Sequence, residues 1–282
     1  ILNIFELKEK NKANLKIWRD IISKISSKRK KISIAIVGKY VDLKDAYKSL
    51  DEALIHGSLD NNIDLNTEWV DSTKIKKNNV SKVLKKYSAI LIPGGFGSRG
   101  TEGKIEAIAY ARKYKVPFFG ICFGMQMAVI EAARNMLGIK KATSSEFSNG
   151  GTHVVGLMGE WVKGKTIQKG SKKNLGGTMR LGSYKAKLKR NTLISRIYKS
   201  TIVNERHRHR YEVDKNLKFR LEKKGLIFSG LSPDGSLPET IELENHPWFI
   251  GVQFHPEFKS RPFAPHPLFS SFIKAAKNNS EN

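Results

Sequence analysis

The chain has 282 residues, 39% of them hydrophobic, with 51 Lys and Arg against 26 Asp and Glu, a formal net charge of +25, and one cysteine. That length and apolar content suffice for one large α/β domain or two small ones, and a single cysteine excludes an internal disulfide and predicts a reducing, cytoplasmic setting. No apolar run is long enough to span a bilayer, and the lysines are spread along the chain instead of forming one stripe with interleaved aromatics, so the charge reads as a solvated surface and predicts neither membrane nor nucleic-acid binding.

The sequence opens at Ile1 without a methionine, which predicts a piece of a longer polypeptide. Residues 1–30 alternate charges with Leu15, Trp18, Ile21, Ile22 and Ile25 at near-helical spacing and end in a basic run, predicting a helix and an interdomain linker. Residues 31–38 have the length and apolar content of a buried parallel strand stopped by Gly38. A helix is predicted over 45–59 with Ala46, Leu50, Ala53 and Leu54 on one face. A strand follows over 64–70, a short helix over 79–86 and a strand over 88–93. Strands alternating with helices predict a three-layer α/β fold, a mostly parallel doubly wound sheet with helices on both faces. In such sheets ligands sit outside the carboxyl ends of the strands.

After the third strand, Gly95, Gly97 and Gly100 spell G-x-G-x-x-G. The dinucleotide reading fails because that fingerprint expects an acidic residue at the end of the next strand, which ends instead at Cys122. A P-loop fails as well, with Ser98 replacing its first glycine and Ile105 standing where Ser or Thr should bind magnesium. What remains is a loop of exposed backbone N–H groups, the material of an oxyanion hole.

Residues 115–133 read as a strand, a tight turn and a helix, with Cys122 between Gly120 and Gly124. This is the cysteine form of the nucleophile elbow G-x-S-x-G. A thiol there faces the free N–H groups and positive end of the following helix, which favours its thiolate form. A lone intracellular cysteine is otherwise a small buried hydrophobe; the two glycines turn the reading toward a nucleophile.

Residues 138–182 are turn-rich, with short strands predicted over 154–157 and 166–168. The run from Arg206 to Arg210 alternates arginine and histidine, which reads as a charged surface strand or loop with the arginines on one side and the imidazoles on the other. An apolar strand over 248–254 leads directly to His255, and Glu257 follows across the stiffening Pro256. A carboxylate so placed can hold one imidazole nitrogen while the other faces a nucleophile, and Cys, His and Glu together supply nucleophile, base and orienter. A last helix is predicted over 269–276, followed by a polar tail, 277–282.

The elbow Gly-x-Cys-x-Gly-x-Gln, the upstream Pro-Gly-Gly at 93–95 and the downstream Phe-His-Pro-Glu at 254–257 resemble the class I, or triad, glutamine amidotransferases. The runs at 37–40, 45–49, 176–182 and 205–213 are similar, within that family, to the CTP synthases. The resemblance covers about residues 13–276 and implies a flavodoxin-like amidotransferase domain over 31–276, joined to an amino-terminal synthetase domain that would precede Ile1. It implies that Cys122, His255 and Glu257 are the catalytic triad acting on glutamine, that the N–H groups of Gly95 and Phe123 hold the oxyanion, that Gln126, Glu146 and Arg210 take the α-amino and α-carboxylate ends of the substrate, and that Phe96 packs on its methylenes. It implies no cofactor or metal in this domain, and ATP, Mg2+, UTP and a GTP effector for a homotetrameric full-length enzyme. Ser98, Arg99 and Glu102 fall in a region the family links to GTP. Phe123 stands where many relatives have Leu, which leaves the backbone donor intact. Two other readings of the same residues are a γ-glutamyl hydrolase or peptidase with this triad and, from the charge alone, a basic nucleic-acid-binding protein whose cysteine is structural.

Overall fold

Lys30–Gly38 (β1) is buried over five consecutive residues, from Ile34 to Gly38, which a strand tolerates only where both faces of its sheet are covered. The computed structural model describes residues 4–6, 14–39, 47–147, 150–158, 160–163, 166–169 and 179–281. Before β1 lies α1 (Lys16–Ser26). After it come α2 (Lys48–Asp60), β2 (Ile63–Asp71), α3 (Val80–Leu84), β3 (Ala89–Ile92), α4 (Thr101–Tyr114), β4 (Phe118–Ile121) and α5 (Phe123–Asn135). The chain continues through β5 (Ala142–Ser144), β6 (Thr152–Leu157), β7 (Glu160–Lys163), β8 (Thr166–Lys169), β9 (Arg180–Leu188), α6 (Leu193–Tyr198), β10 (Ile202–His209) and β11 (Tyr211–Val213). It ends with α7 (Lys218–Glu222), β12 (Leu226–Leu231), β13 (Pro238–Leu243), β14 (Phe249–Val252) and α8 (Pro267–Asn279). Among the described residues no helix is long and apolar enough to cross a membrane.

The main sheet has the order β10-β9-β12-β13-β14-β4-β3-β1-β2. Strands β14, β4, β3, β1 and β2 run parallel to one another, as the alternation of strands and helices predicts. The other four strands extend the β14 edge antiparallel. Five residues between β13 and β14, and six between β12 and β13, are too few for the crossover that a parallel pair needs, and this accounts for the change of direction. Alternating residues of β1 feed two cores. Ile34 and Ile36 join Leu50, Leu54, Phe269 and Phe272 on one side, while Ala35 and Val37 join Ile105, Ile108 and Val129 on the other. Helices α2 and α8 therefore cover one face and α4 and α5 the other. A small sheet, β11-β6-β5, packs on α5.

Several elements differ from their predicted bounds. Asp45 and Ala46 of the second predicted helix lie outside the described residues, as do 176–178 and 40. Among its described residues the turn-rich stretch 138–182 holds four short strands and the start of β9. Helix α8 runs through residues 277–279, expected in the polar tail, because Asn279 Nδ2 donates to the Ser88 carbonyl at 3.0 Å and Lys30 pairs with Glu281 at 2.9 Å just beyond it.

Candidate active site

Register brings the site together. Across the parallel pair β4 and β14, Gly120 faces Gly251 and Ile121 faces Val252, so Cys122 emerges level with Gln253, and its N–H donates to the Val252 carbonyl at 2.6 Å. Cys122 then turns with φ 50° and ψ −100°, and α5 begins at the next residue. The positive φ is a conformation that L residues hold only where surrounding structure imposes it. A Cβ on Gly124 would stand 2.2 Å from the Ile92 carbonyl oxygen, and one on Gly120 2.8 Å from the Gly124 backbone. Both elbow glycines are thus demanded by close approach of helix and strand.

The chain leaves β14 through Gln253 and Phe254 and is pinned at His255, whose N–H donates to the Arg206 carbonyl at 2.8 Å. His255 Nδ1 lies 2.7 Å from Glu257 Oε1. A carboxylate accepts, so Nδ1 carries the proton and Nε2 is left as the other face of the ring. Among the described residues Nε2 is buried without a hydrogen-bond partner. Burial opposes a charge on this imidazole, but Glu257 and Cys122 together outweigh it and hold His255 well above the usual histidine range. Gly94 makes room for the ring: a Cβ there would meet His255 Cε1 at 2.7 Å.

These groups open on a cleft of about 730 Å³, which Cys122, His255 and Glu257 share with Gly95, Phe96, Gln126, Glu146 and Arg210. Phe123 does not line it with its side chain, which is buried, with Lys104 Nζ 4.7 Å over the ring. Its N–H, the first of α5, has no acceptor within the helix. Glu146 Oε1 accepts from the Gly97 N–H at 2.7 Å. Burial pushes the Glu146 carboxyl up, against the opposing pull of that N–H and of Lys39, Arg210 and Lys104. Phe96 is exposed on the rim under Lys39, which donates to its carbonyl and stands 4.7 Å from its ring. Ser98, Arg99 and Glu102 are not among the lining residues; Arg99 donates to the Lys39 carbonyl at 3.1 Å and Glu102 pairs with Arg134 at 2.7 Å. No three His, Cys, Asp or Glu side chains among the described residues are grouped to hold a metal ion.

Three features escape the sequence reading. The alternation in β10 sends Arg206 and Arg208 outward as expected, but His207 and His209 are buried. They meet Arg180, Glu212 and Glu239 in a closed polar cluster: His207 Nδ1 is 2.9 Å from His209 Nε2, and Arg180 Nη1 is 2.7 Å from Glu239 Oε1. The run is therefore no surface strand, since one of its faces lies against the sheet interior. Lys104 is buried on a helix face it shares with Ile108 and Ala111. Gln253, an amide within an otherwise apolar strand and two residues before His255, touches the Cys122 sulfur; that isolated polarity was its only signal in the sequence.

A thiol at a strand-to-helix elbow, faced by an imidazole that a carboxylate orients, at the carboxyl ends of a parallel sheet, is an arrangement suited to cysteine-dependent acyl transfer on a doubly wound α/β fold. The chain belongs to the class-I glutamine amidotransferase family, whose sequence pattern matches residues 42–275. It is 65% identical over 280 residues to the CTP synthase of Pelagibacter ubique (strain HTCC1062) and 57% identical over 281 residues to that of Rhizobium meliloti (strain 1021). Each alignment covers 99% of this chain and 52% of the relative, so the chain spans about half the length of the curated relatives it matches. Among solved structures, the glutaminase domain of Trypanosoma brucei CTPS with bound acivicin superposes with a TM-score of 0.79 at 38% identity, over 88% of this chain and 94% of that one.

Proposed function

We propose that this chain is the glutaminase domain of a CTP synthase, residues 31–276 forming the catalytic unit and residues 1–30 the connection to a synthetase half. Cys122 attacks the side-chain amide carbon of glutamine while His255 Nε2 takes the thiol proton. The same proton then passes to the leaving nitrogen, which departs as ammonia and leaves a γ-glutamyl thioester. Water, deprotonated by His255, hydrolyses the thioester to glutamate and regenerates the thiol. Proton transfer of this kind contributes about 10²–10⁴-fold in rate. Glu257 fixes the tautomer through Nδ1. The N–H groups of Gly95 and Phe123 receive the tetrahedral oxyanion. Glu146 suits the α-ammonium of the substrate, Arg210 its α-carboxylate, and Phe96 its methylenes.

In the whole enzyme the ammonia aminates UTP with ATP and Mg2+, under GTP control, in a cytoplasmic homotetramer; all of those ligands belong to the part of the enzyme outside this chain or to its junction with it. The observation that carries the reading is the convergence of the elbow cysteine and the His255–Glu257 pair on the one cleft that also holds an acid and an arginine fit for an amino acid. A glutamine-like diazo ketone tests it by mass spectrometry. The wild-type chain gains one adduct and Cys122→Ala gains none; an unlabelled wild type, or a labelled alanine variant, would overturn the assignment. Turnover of glutamine well above that of γ-glutamyl peptides separates it from a γ-glutamyl hydrolase.

A further inference from the structure

Gln253 is fully buried and has no part in the mechanism above. Its Nε2 lies 3.6 Å from Cys122 Sγ and its Oε1 lies 3.2 Å from Gln126 Nε2. Gln126 Nε2 is also 2.9 Å from the carbonyl oxygen of Tyr211. The two ends of an amide side chain are interchangeable in shape, and only their hydrogen-bond partners tell them apart. Here the partners decide. A backbone carbonyl only accepts, so the end of Gln126 at Tyr211 is its NH2 group. The second hydrogen of that group points to Gln253, which must answer with its oxygen. With its oxygen so engaged, Gln253 presents its own NH2 group to the sulfur. The polarity at the nucleophile is thus set by the Tyr211 carbonyl, two side chains away, and the Gln253 backbone is held in turn by its N–H to the Glu239 carbonyl at 2.8 Å.

We infer that Gln253 is a positioning residue for Cys122, the last member of a relay Tyr211–Gln126–Gln253–Cys122 that delivers an N–H donor to the sulfur and favours its anionic form. A donor aimed at an ionisable acceptor stabilises the charged form over the neutral one, because hydrogen bonds to ionised groups are the stronger. The relay has a consequence for the cleft. Both hydrogens of Gln126 are spent inside the protein, so toward a ligand Gln126 can offer only its oxygen, an acceptor suited to an ammonium group. The proposal rests on the glutaminase reading only for the use made of the anion.

The test needs no glutamine. Cys122 is the single cysteine of the chain, so its alkylation by iodoacetamide can be followed by mass between pH 5.5 and 9.5 in the wild type, Gln253→Leu and Gln253→Glu. Leucine removes the donor; at pH 7 alkylation is expected to slow about tenfold, the size of one hydrogen bond to a charged group, and to recover as pH rises. Glutamate keeps the shape and can still accept from Gln126, but turns an acceptor oxygen to the sulfur, and should be slower still. A structural role alone predicts a glutamate variant at wild-type rate, or one ratio at every pH, and either result overturns the proposal. Should both variants fail to fold, the Gln253 side-chain amide resonance of the 15N-labelled wild type decides: it moves as the thiol ionises if it donates to sulfur, and stays put if it does not. The two readings fail separately, since a chain that iodoacetamide labels with the expected pH dependence, but that the diazo ketone ignores, would lose the glutaminase and keep the relay.

Discussion

At the end of β14 His255 is governed by the Glu257 carboxylate, 2.7 Å from Nδ1, and by Cys122, and together they overcome burial and raise its affinity for a proton. Inside the antiparallel half of the same sheet, His207 and His209 also face carboxylates, Glu239 at 3.5 Å and Glu212 at 3.4 Å. There the direction is reversed. Burial, and then the repulsion of Arg180, hold both imidazoles well below their usual range. Glu212 and Glu239 are themselves pushed up by burial, with Arg180 pulling against it. The same two residue types thus make an imidazole that holds a proton in one place and imidazoles that resist one in the other. Burial opposes the charge in both places; at His255 the neighbouring Glu257 and Cys122 outweigh it, while beside His207 and His209 the Arg180 guanidinium adds to it.

Removing that guanidinium is the most forceful way to break the contrast. In Arg180→Met the carboxyls of Glu239 and Glu212 lose their compensating cation. Breaking a buried pair in this way costs about 3–5 kcal/mol, or at 2–4 °C per kcal/mol a fall in melting temperature of roughly 6–20 °C at pH 7. The sign with pH follows from the carboxyls. Their affinity for protons in the folded state, already raised, rises further without Arg180. Their contribution is then intact below the ordinary glutamate value and is lost as pH climbs through the raised one. The deficit should therefore shrink toward pH 4.5 and widen toward neutrality in thermal melts; a deficit that ignores pH would mean that Arg180 acts through packing alone.

The corresponding change at the cleft is Glu257→Gln. The amide keeps the size of the carboxylate but removes the charge that raises His255, so the ring holds the thiol proton less well and loses its fixed tautomer. A fall in kcat of about 10²–10³ is expected, with KM for glutamine nearly unchanged and melting temperature within a few degrees of wild type. Unchanged kcat would remove Glu257 from its role as orienter.

How far each region can be read from sequence follows the same division. The cleft is local: glycines two residues either side of Cys122 and a carboxylate two residues after His255 state their geometry in a few letters. Parallel strands flanked by helices were legible from apolar runs punctuated by glycine, as in β1, β3 and β4. The cluster around Arg180 is not local. Arg180 lies 27 residues before His207, Glu239 comes from a third strand, and nothing in Arg-His-Arg-His-Arg says that its imidazoles turn inward to meet Arg180 of β9 and Glu239 of β13. Gln253 was hidden for the same reason, because its meaning depends on the register of β14 with β4 and on Gln126 from α5.

Lys104 makes a third, smaller case, a cation buried with an aromatic ring in place of an anion. It sits 2% exposed with Nζ 4.7 Å over the Phe123 ring. Burial and then the repulsion of Lys39, against the attraction of Glu146, lower its pKa from the ordinary 10.5 to about 8. A depression of that size costs about 3 kcal/mol at neutral pH, and the ring returns about 1–2 of it. Lys104→Met, which fills the same volume without charge, should therefore stabilise the protein by about 1–2 kcal/mol. Because the lysine is penalised only while the folded state must carry its charge, the gain is full below pH 8, declines between 8 and 10.5, and is gone above that. The same substitution removes one of the cations that hold the Glu146 carboxyl down. If Glu146 receives the substrate ammonium, the variant gains in melting temperature while KM for glutamine rises a few-fold at pH 6 and less at pH 8. A gain in stability with KM unmoved at both pH values would confine Lys104 to the core and detach it from the cleft.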